Sequence, residues 1–254
     1  MSSNLTYLIT GANRGIGKGL TTSLLSRPST TVIAAVRDVA KSAPILDAIP
    51  KAAGSKLIVV KLDSQIESDA ADAVSQLQKD HGISSIDVVI ANAGISHSGG
   101  PVVQTTAEGL RDHFNTNTIG PVLLFQAVRP LLKASRGGNP LFIAISSIIG
   151  SIGAQDALAA ISPVFSPYGA SKTALNWLVR RIHLEEPWLT SFVIHPGLVL
   201  TEMAASVAGP DVDPAKFGAI TVDASVGGIF RVIDSASREI SGTFQQYNGE
   251  VLPW

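Results

Sequence analysis

Short apolar runs alternate with amphipathic segments along the chain. The apolar runs, rich in β-branched residues, lie at 5–10, 31–36, 56–62, 86–91, 140–146 and 191–195. Apolar runs of this length without polar alternation are typical of strands buried on both faces. We therefore predict six interior strands, and a short seventh strand near 242–247.

Segments with helical periodicity lie between the apolar runs, at 64–82, 105–135, 171–186 and 221–236, and most of them are closed by Pro or Gly. Strands that alternate with helices form right-handed crossovers and a parallel sheet covered on both faces. No fixed-period repeat or linker-like change of composition interrupts the pattern. We expect a single α/β domain over residues 1–254, with a doubly wound parallel sheet of about seven strands.

Composition adds expectations about partners. Hydrophobic residues make up 45% of the 254 residues and charged residues only 15%, so the polar surface is small. Part of the apolar excess fits a buried contact between subunits, and we expect a homo-oligomer, either a dimer or a tetramer. The net charge of −1, with no run of Lys or Arg, indicates no nucleic-acid partner and no membrane partner.

Several kinds of chemistry are excluded by residue types or spacings that are absent. The sequence has no cysteine, which excludes disulfides, thiolate metal ligands and a cysteine nucleophile. Its five histidines are scattered without H-E-x-x-H spacing, so we expect no metal site. No G-x-S-x-G motif of α/β-hydrolases occurs. The first residues, "MSSNLTYLITG", lack the regions of a signal peptide, and we expect a cytoplasmic protein.

Three glycines follow the first predicted strand in the stretch "TGANRGIG" at 10–17. A glycine-rich turn between a strand and a helix binds pyrophosphate, because free N–H groups and the helix dipole point at the anion. Gly11 permits the tight turn, Gly15 lets phosphates approach, and Gly17 lets the helix pack on the strand. The spacing G-x-x-x-G-x-G differs from the dinucleotide fingerprint G-x-G-x-x-G, so a turn that only packs remains an alternative.

The second strand ends in "AAVRD", the position at which dinucleotide-binding proteins distinguish NAD from NADP. A carboxylate there binds the ribose 2′-hydroxyl of NAD, whereas an arginine accommodates the 2′-phosphate of NADP. Arg37, together with Arg14 from the glycine turn, offers two guanidinium groups to a phosphate dianion. Asp38 leaves NAD open as the alternative.

The stretch "YGASK" places Tyr168 and Lys172 four residues apart, on one face of a helix. The preceding "ISSIIG" puts Ser146 and Ser147 at the carboxyl end of the fifth strand, on the same edge of the sheet as the glycine turn. A ketone that accepts hydride needs a proton on its oxygen, and a phenol with its ordinary pKa of about 10 is a weak donor. We expect the Lys172 ammonium to lower the pKa of Tyr168, and a serine hydroxyl to hold the carbonyl oxygen.

In order along the chain, these motifs resemble those of the short-chain dehydrogenases/reductases. "TGANRGIG" resembles T-G-x-x-x-G-x-G, "ANAG" at 91–94 resembles N-N-A-G, and "YGASK" resembles Y-x-x-x-K. "NTNTIGP" at 115–121 resembles the segment with the catalytic asparagine, and "HPGLVLTEM" at 195–203 resembles P-G-x-x-x-T. Within the family, the sequence looks most like sniffer- and C-factor-type carbonyl reductases and norsolorinic acid ketoreductase-like proteins.

The resemblance implies a Rossmann-type fold and roles for the matched residues. Tyr168 would be the general acid, Lys172 would hold the nicotinamide ribose, Ser147 would orient the carbonyl, and Asn117 would anchor a water that relays protons to Lys172. The implied contacts to NADPH/NADP are Gly11, Asn13, Arg14, Gly15, Ile16, Gly17, Arg37, Asp63 at the adenine, Asn92, Ala93, Gly94, Tyr168, Lys172, Pro196, Gly197, Val199 and Thr201.

Two departures from the family pattern stand out. Ala91 replaces the first Asn of N-N-A-G, and the 21 residues from Ser147 to Tyr168 exceed the usual spacing. The extra residues lie in the spacer 151–166, which we expect to form a loop beside the site, with a second wall from 198–220. Its apolar residues, which predict a hydrophobic substrate, are Ile152, Leu158, Ile161, Val164 and Phe165. A surface loop or a subunit contact remains the alternative for this spacer.

The sequence therefore predicts an NADPH-dependent carbonyl reductase whose small-molecule substrate is a hydrophobic ketone or aldehyde, with bulky apolar ketones favoured over small polar ones. One alternative is an NAD-dependent alcohol dehydrogenase working in the oxidative direction, which Asp38 at the ribose would favour. The other is a cofactor-binding sensor without catalysis. The four predicted catalytic residues, Asn117, Ser147, Tyr168 and Lys172, argue against the sensor.

Overall fold

The computed structural model describes residues 4–97, 100–159, 165–208 and 214–254. Within these residues, seven strands form one parallel sheet in the order β3-β2-β1-β4-β5-β6-β7. The strands are β1 (Leu5–Thr10), β2 (Thr30–Val36), β3 (Lys56–Lys61), β4 (Val88–Ala91), β5 (Leu141–Ile145), β6 (Thr190–His195) and β7 (Phe244–Gln246). The predicted α/β fold with a doubly wound parallel sheet is confirmed.

Helices connect the strands. They are α1 (Gly15–Leu25), α2 (Val39–Asp47), α3 (Asp69–His81), α4 (Ala107–Phe114), α5 (Gly120–Lys133), α6 (Gln155–Leu158), α7 (Ser166–Glu185), α8 (Glu202–Ala208) and α9 (Val222–Asp234). A π-helical turn, Asn115–Ile119, separates α4 from α5, so the single helix predicted over 105–135 is divided. Short 3-10 turns occupy Val102–Gln104, Ile148–Gly150, Pro214–Phe217 and Arg238–Ile240. Among the residues described, no helix is both long and apolar enough to cross a membrane.

Hydrophobic residues are buried on both faces of the sheet. Successive side chains of a strand point to opposite faces, and in β1 Leu8 joins the core beneath α3, α5 and α7 while Ile9 joins the core beneath α1, α2 and α9. Every residue of β2 is buried. The two covered faces explain why the strands read as continuous apolar runs rather than as alternating patterns.

The strand order reverses beside β1, which pairs with β2 on one side and with β4 on the other. Ligands of open α/β sheets bind in the crevice outside the carboxyl ends of the strands at such a reversal. The glycine turn follows β1, Arg37 follows β2, Asn92 follows β4, Ser147 follows β5 and Pro196 follows β6. The topology therefore brings all of these predicted residues to the same edge of the sheet.

We expected the spacer between Ser147 and Tyr168 to form a loop. It is not a loop throughout, because it contains helix α6. Ser151 is fully buried, and its hydroxyl donates a hydrogen bond to the Pro253 carbonyl at 2.8 Å. The side chain of Ile152 is exposed. Two apolar residues of the spacer, Ile161 and Val164, lie outside the described residues.

Candidate active site

Helix α7 presents Tyr168 in its first turn and Lys172 one turn later, on the same face. Lys172 is buried and Tyr168 is half-buried, and the Lys172 Nζ atom lies 5.8 Å from the centre of the Tyr168 ring. Lys172 Nζ also donates a hydrogen bond to the Ile145 carbonyl at 2.8 Å. The last residue of β5 therefore fixes the position of the ammonium beside the phenol.

Burial controls the ionisation of this pair. It raises the pKa of Tyr168 to about 12, although the hydrogen bond with Ser147 acts in the lowering direction. It lowers the pKa of Lys172 to about 8. Our expectation that Lys172 lowers the pKa of Tyr168 is wrong in this structure, because desolvation of the phenol outweighs other effects. At neutral pH the phenol therefore keeps its proton and is available as a donor.

Two consecutive serines after β5 have different surroundings. The Ser147 hydroxyl is hydrogen-bonded to the Tyr168 phenol, and it also accepts the main-chain N–H of Ile149 at 3.3 Å. The Ser146 hydroxyl instead donates to the Asn176 side chain, in the interior. Ser147 is therefore the serine that the structure places at the phenol, as the motif predicts.

Asn117 lies in the π-helical turn and is completely buried. Its side chain closes a reciprocal pair of hydrogen bonds with the main chain of Ile95, both at 2.9 Å, and donates to Ser171 Oγ at 3.0 Å. Single π-helical turns inside α-helices are frequent at functional sites. Asn117 thereby joins the segment after β4 to helix α7. Its predicted water relay to Lys172 stays a prediction.

The glycine turn between β1 and α1 has two distinct functions. A Cβ atom on Gly17 would lie 2.1 Å from the Gly11 carbonyl oxygen, so Gly17 is required for packing. Gly15 has a positive φ of 51°, and a Cβ atom there would meet only Thr201, at 3.4 Å or more. Because α1 has neither a side-chain cap nor an acidic residue in its first turn, its N-terminus fits an anion such as a pyrophosphate.

The segment after β4 is tied to the glycine turn. Thr10 Oγ1 accepts the main-chain N–H of Asn92 at 3.0 Å, and Asn92 Nδ2 donates to the Thr10 carbonyl at 2.9 Å. A Cβ atom on Gly94 would lie 3.2 Å from Asn117 Oδ1 and 3.6 Å from Lys172 Nζ. The predicted cofactor contacts at 92–94 are therefore adjacent to both the glycine turn and the predicted catalytic residues.

The structure separates the roles of Arg37 and Asp38. The Asp38 carboxylate caps helix α2 by accepting the N–H of Lys41 at 3.1 Å, and its second oxygen lies 3.5 Å from Lys41 Nζ. Arg37 is exposed, with no acidic partner within the described part of the chain. Arg14 forms an exposed ion pair with Glu202 at 2.8 Å. Arg37 is therefore the residue of this group that is available to a ribose phosphate.

The segment after β6 lies beside the glycine turn. The Ser225 hydroxyl donates a hydrogen bond to the Pro196 carbonyl. Gly197 has a φ of 86°, and Val199 forms an isolated β-bridge with Ile220. Thr201 completes this segment, and a Cβ atom on Gly15 would lie 3.4 Å from its side chain. The predicted contacts at 196–201 thus adjoin the turn that would hold the pyrophosphate.

Asp63 and His195 lie at the margins of the site. Asp63 follows β3 and accepts the N–H of Gln65 at 3.0 Å, so its contact with an adenine stays a prediction. His195 ends β6, as expected, and burial lowers its pKa to about 4. Over the described ranges, no group of three or more His, Cys, Asp or Glu side chains could hold a metal.

Comparisons with known proteins show the family of the chain. The short chain dehydrogenase family model matches residues 6–210, which is most of the chain. The chain belongs to this family. This short-chain dehydrogenase is 45% identical over 255 residues to a norsolorinic acid ketoreductase of Dothistroma septosporum, with 100% of this chain and 94% of that protein covered. The resemblance indicated by the motifs is confirmed.

Solved structures of similar fold include two carbonyl reductases. The NADPH-bound carbonyl reductase from chicken fatty liver is 32% identical, with a TM-score of 0.84 and 98% of each chain covered. The carbonyl reductase Sniffer of D. melanogaster is 26% identical, with a TM-score of 0.82 and coverage of 98% of this chain and 99% of that chain. This chain is accordingly an oxidoreductase of the short-chain dehydrogenase family, whose members bind a nicotinamide cofactor.

One buried residue beside Tyr168 in this short-chain dehydrogenase is not indicated by any of the motifs. His113 is fully buried, and its ring packs edge-on against Tyr168 with 6.4 Å between the ring centres. It precedes Asn117 by four residues in a helical segment, which puts both on the same side. That spacing is the only sequence signal that points to it.

Proposed function

We propose that this protein is an NADPH-dependent reductase that transfers hydride to the carbonyl carbon of a hydrophobic ketone or aldehyde, with Tyr168 as the general acid. The observation that supports this most strongly is the geometry around the Tyr168 phenol, which is hydrogen-bonded to the Ser147 hydroxyl and whose ring centre lies 5.8 Å from Lys172 Nζ. The family members that resemble the chain include a norsolorinic acid ketoreductase and an NADPH-bound carbonyl reductase.

The residues of the sheet edge fit NADPH. The uncapped N-terminus of α1 and the open space at Gly15 suit a pyrophosphate. Arg37 suits a 2′-phosphate, because Asp38 is committed to capping α2. When bound, NADPH supplies the hydride for the carbonyl carbon.

The catalytic residues supply the proton and stabilise charge. As negative charge develops on the carbonyl oxygen, the Tyr168 O–H bond breaks and its proton moves to that oxygen. The Ser147 hydroxyl keeps the oxygen at the phenol. Tyr168 is left as a phenolate, and the positive charge of Lys172, 5.8 Å from the ring centre, offsets it. Asn117 positions the segment at Ile95 that borders this group.

Exposed apolar side chains in the two segments that are predicted to wall the site support a hydrophobic substrate. Ile152 is 66% exposed, and Leu198 and Leu200 are 41% and 45% exposed on either side of the buried Val199. Phe217, close in sequence to Ile220, is 62% exposed. A hydrophobic ligand would cover this surface, because each buried CH₂ group contributes about 0.8 kcal/mol.

We further propose a single cofactor-binding domain over residues 1–254, located in the cytoplasm and assembled as a homo-oligomer. Trp177 and Leu184 lie seven residues apart on α7, so they share one face, and both are more than half exposed. An apolar face of this kind suits a contact between subunits.

The experiment that tests the proposed function measures consumption of NADPH and of NADH by the purified protein with a panel of small and bulky ketones. We expect NADPH to be consumed with the bulky apolar ketones and NADH to be much less effective. Oxidation of alcohols with NAD, without ketone reduction, would instead assign an NAD-dependent alcohol dehydrogenase. Tight NADPH binding without turnover of any ketone or alcohol would assign a sensor.

A further inference from the structure

His113 on α4 has a defined tautomer. Its Nδ1 atom lies 2.7 Å from the Gly109 carbonyl oxygen, which can only accept, so Nδ1 has the proton. Its Nε2 atom lies 3.2 Å from the main-chain nitrogen of His97, which can only donate. The imidazole is therefore neutral, with Nδ1 as donor and Nε2 as acceptor, and both ring nitrogens are bonded to main chain.

The His113 ring joins two parts of the active site. Its centre lies 4.8 Å from that of His97 and 6.4 Å from that of Tyr168, where the ring planes meet at 77°. His97 belongs to the segment after β4, and Tyr168 belongs to α7. A single buried side chain therefore contacts both the general acid and the segment that borders it.

The segment 95–97 is anchored at both ends by the helical segment before α5. Asn117 binds the main chain of Ile95 through two hydrogen bonds, and His113 accepts the N–H of His97. Gly94, which precedes the segment, adjoins both Asn117 and Lys172. Movement at His97 would therefore reach the residues beside the predicted nicotinamide contacts.

We propose that His113 is a positioning residue of this reductase: its unprotonated Nε2 holds segment 95–97 in place, and its ring edge supports the Tyr168 ring. This inference rests on the proposed function, which makes Tyr168 the general acid. His113 itself exchanges no proton with the substrate. Protonation of His113 removes the acceptor at Nε2 and releases the His97 N–H.

The surroundings of His113 keep it neutral. Burial lowers its pKa below the ordinary value of 6.5, and the nearby charges of His97 and Lys172 act in the same direction. The Gly109 carbonyl and Asp112, on α4 itself, act in the opposite direction. The Tyr168 phenol, which faces His113 from α7, stays protonated over this range. His113 therefore accepts from His97 at neutral pH, and protonation, which its lowered pKa places below pH 6.5, removes this contact.

Three variants separate positioning from a general structural role. His113→Phe keeps a ring edge at Tyr168 but removes both hydrogen bonds. His113→Gln offers an amide oxygen to the His97 N–H and does not titrate. His183→Gln is the matched control, because His183 on α7 is a partly buried histidine whose Nδ1 atom bonds Ser241, away from Tyr168.

The first measurement is amide hydrogen exchange of segment 95–97 in the purified protein, which needs no substrate. In the unaltered protein, we expect protection of this segment to fall as the pH drops below 6.5, after correction for intrinsic exchange. His113→Phe should lower the protection of segment 95–97 from exchange about tenfold at neutral pH, which corresponds to about 1.4 kcal/mol. In this variant the protection should not change further as the pH drops. His113→Gln should restore most of the protection, and His183→Gln should match the unaltered protein.

The second measurement is the pH profile of ketone reduction, with the NADPH dissociation constant measured alongside. We expect His113→Phe to lower kcat about tenfold with NADPH affinity within about threefold, and both His113 variants to lose the fall in kcat/KM below pH 6.5. If exchange at 95–97 and the acidic fall were the same in His113→Phe as in the unaltered protein, the proposal would be overturned. If the protein reduced no ketone, the exchange result would still decide whether His113 holds the segment.

Discussion

Lys172 Nζ lies 5.8 Å from the centre of the Tyr168 ring and donates its hydrogen bond to the Ile145 carbonyl. The ammonium is therefore held near the phenol by the end of β5. Because the pKa of Tyr168 is raised to about 12, the phenol is protonated at neutral pH, as the proposed role of proton donor requires. In the proposed reaction, the positive charge of Lys172 stabilises the phenolate that remains after the proton transfer.

This arrangement predicts an alkaline fall in reduction. The pKa of Lys172 is lowered to about 8, so its positive charge is present below that pH and is lost as the pH rises through it. We expect kcat/KM for ketone reduction to fall above pH 8 by about tenfold per pH unit. The Lys172→Met variant should reduce ketones slowly at every pH, and its kcat/KM should not fall between pH 7 and 9. An unchanged alkaline fall in Lys172→Met would assign it to another group.

Arg37 is predicted to select NADPH. A charge-assisted hydrogen bond contributes about 1.5–3 kcal/mol, so Arg37→Ala should weaken NADPH binding roughly tenfold to a hundredfold and NADH binding much less. Asp38→Ala is the matched control. It should lose the cap of α2, with a small loss of folding stability, and keep the preference for NADPH. Calorimetric titration with both cofactors checks this, and equal affinities in the unaltered protein would contradict it.

The packing of Gly17 predicts a strong effect of one added methyl group. In Gly17→Ala the Cβ atom would lie 2.1 Å from Gly11 O and 2.6 Å from Asn92 Nδ2, so the glycine turn must move. We expect a stability loss of about 1–3 kcal/mol and at least about tenfold weaker NADPH binding. In Gly82→Ala, at the end of α3, a Cβ atom meets nothing within 4 Å, and only the strain of a φ of 65° remains. Its NADPH affinity should be normal.

A Gly17→Ala protein with unaltered NADPH affinity would contradict this account of the glycine turn. Thermal unfolding measured with and without NADPH distinguishes the two variants. Gly82→Ala should unfold at a lower temperature but should gain the same stabilisation from NADPH as the unaltered protein.

The exposed apolar residues predict substrate selectivity. Replacing Ile152 or Leu200 by Ser should lower kcat/KM for a bulky apolar ketone by about fivefold to thirtyfold, because about 1–2 kcal/mol of apolar contact is lost. A small ketone should be much less affected, and the NADPH dissociation constant should not change. Ile45→Ser, at an exposed position on α2, is the control. If the ratio of kcat/KM for the bulky ketone to kcat/KM for the small ketone did not change, these residues would be assigned to a surface or a subunit contact.

Much of the fold could be predicted from the sequence because the sheet is buried on both faces. The run at 5–10 coincides with β1, and the other strands begin and end within two residues of their predictions. The helices were less predictable. Helix α2 has Pro44 in its interior, and the π-helical turn at Asn115–Ile119 interrupts a continuous helical pattern. Both depend on packing that local propensity does not determine.

The site could be predicted as far as its motifs extend. The order of motifs along the chain indicates Tyr168, Lys172, Ser147 and Asn117, and the parallel topology brings their segments together. Two features of the site could be seen only in the three-dimensional structure. The commitment of Asp38 to the N-terminus of α2 is visible only in its contact with Lys41. The pKa of Tyr168 depends on burial, which the motif Y-x-x-x-K does not specify.

The central claim, that Tyr168 is the general acid of an NADPH-dependent reductase, is tested most directly by Tyr168→Phe. The substitution removes the phenol oxygen but keeps the ring that packs on His113. Ketone reduction is measured as NADPH consumption, and NADPH affinity is measured by calorimetric titration of the same preparation. We predict that Tyr168→Phe loses ketone reduction, by at least about a hundredfold, while the NADPH dissociation constant stays within about threefold. Near-normal turnover in Tyr168→Phe would contradict the account.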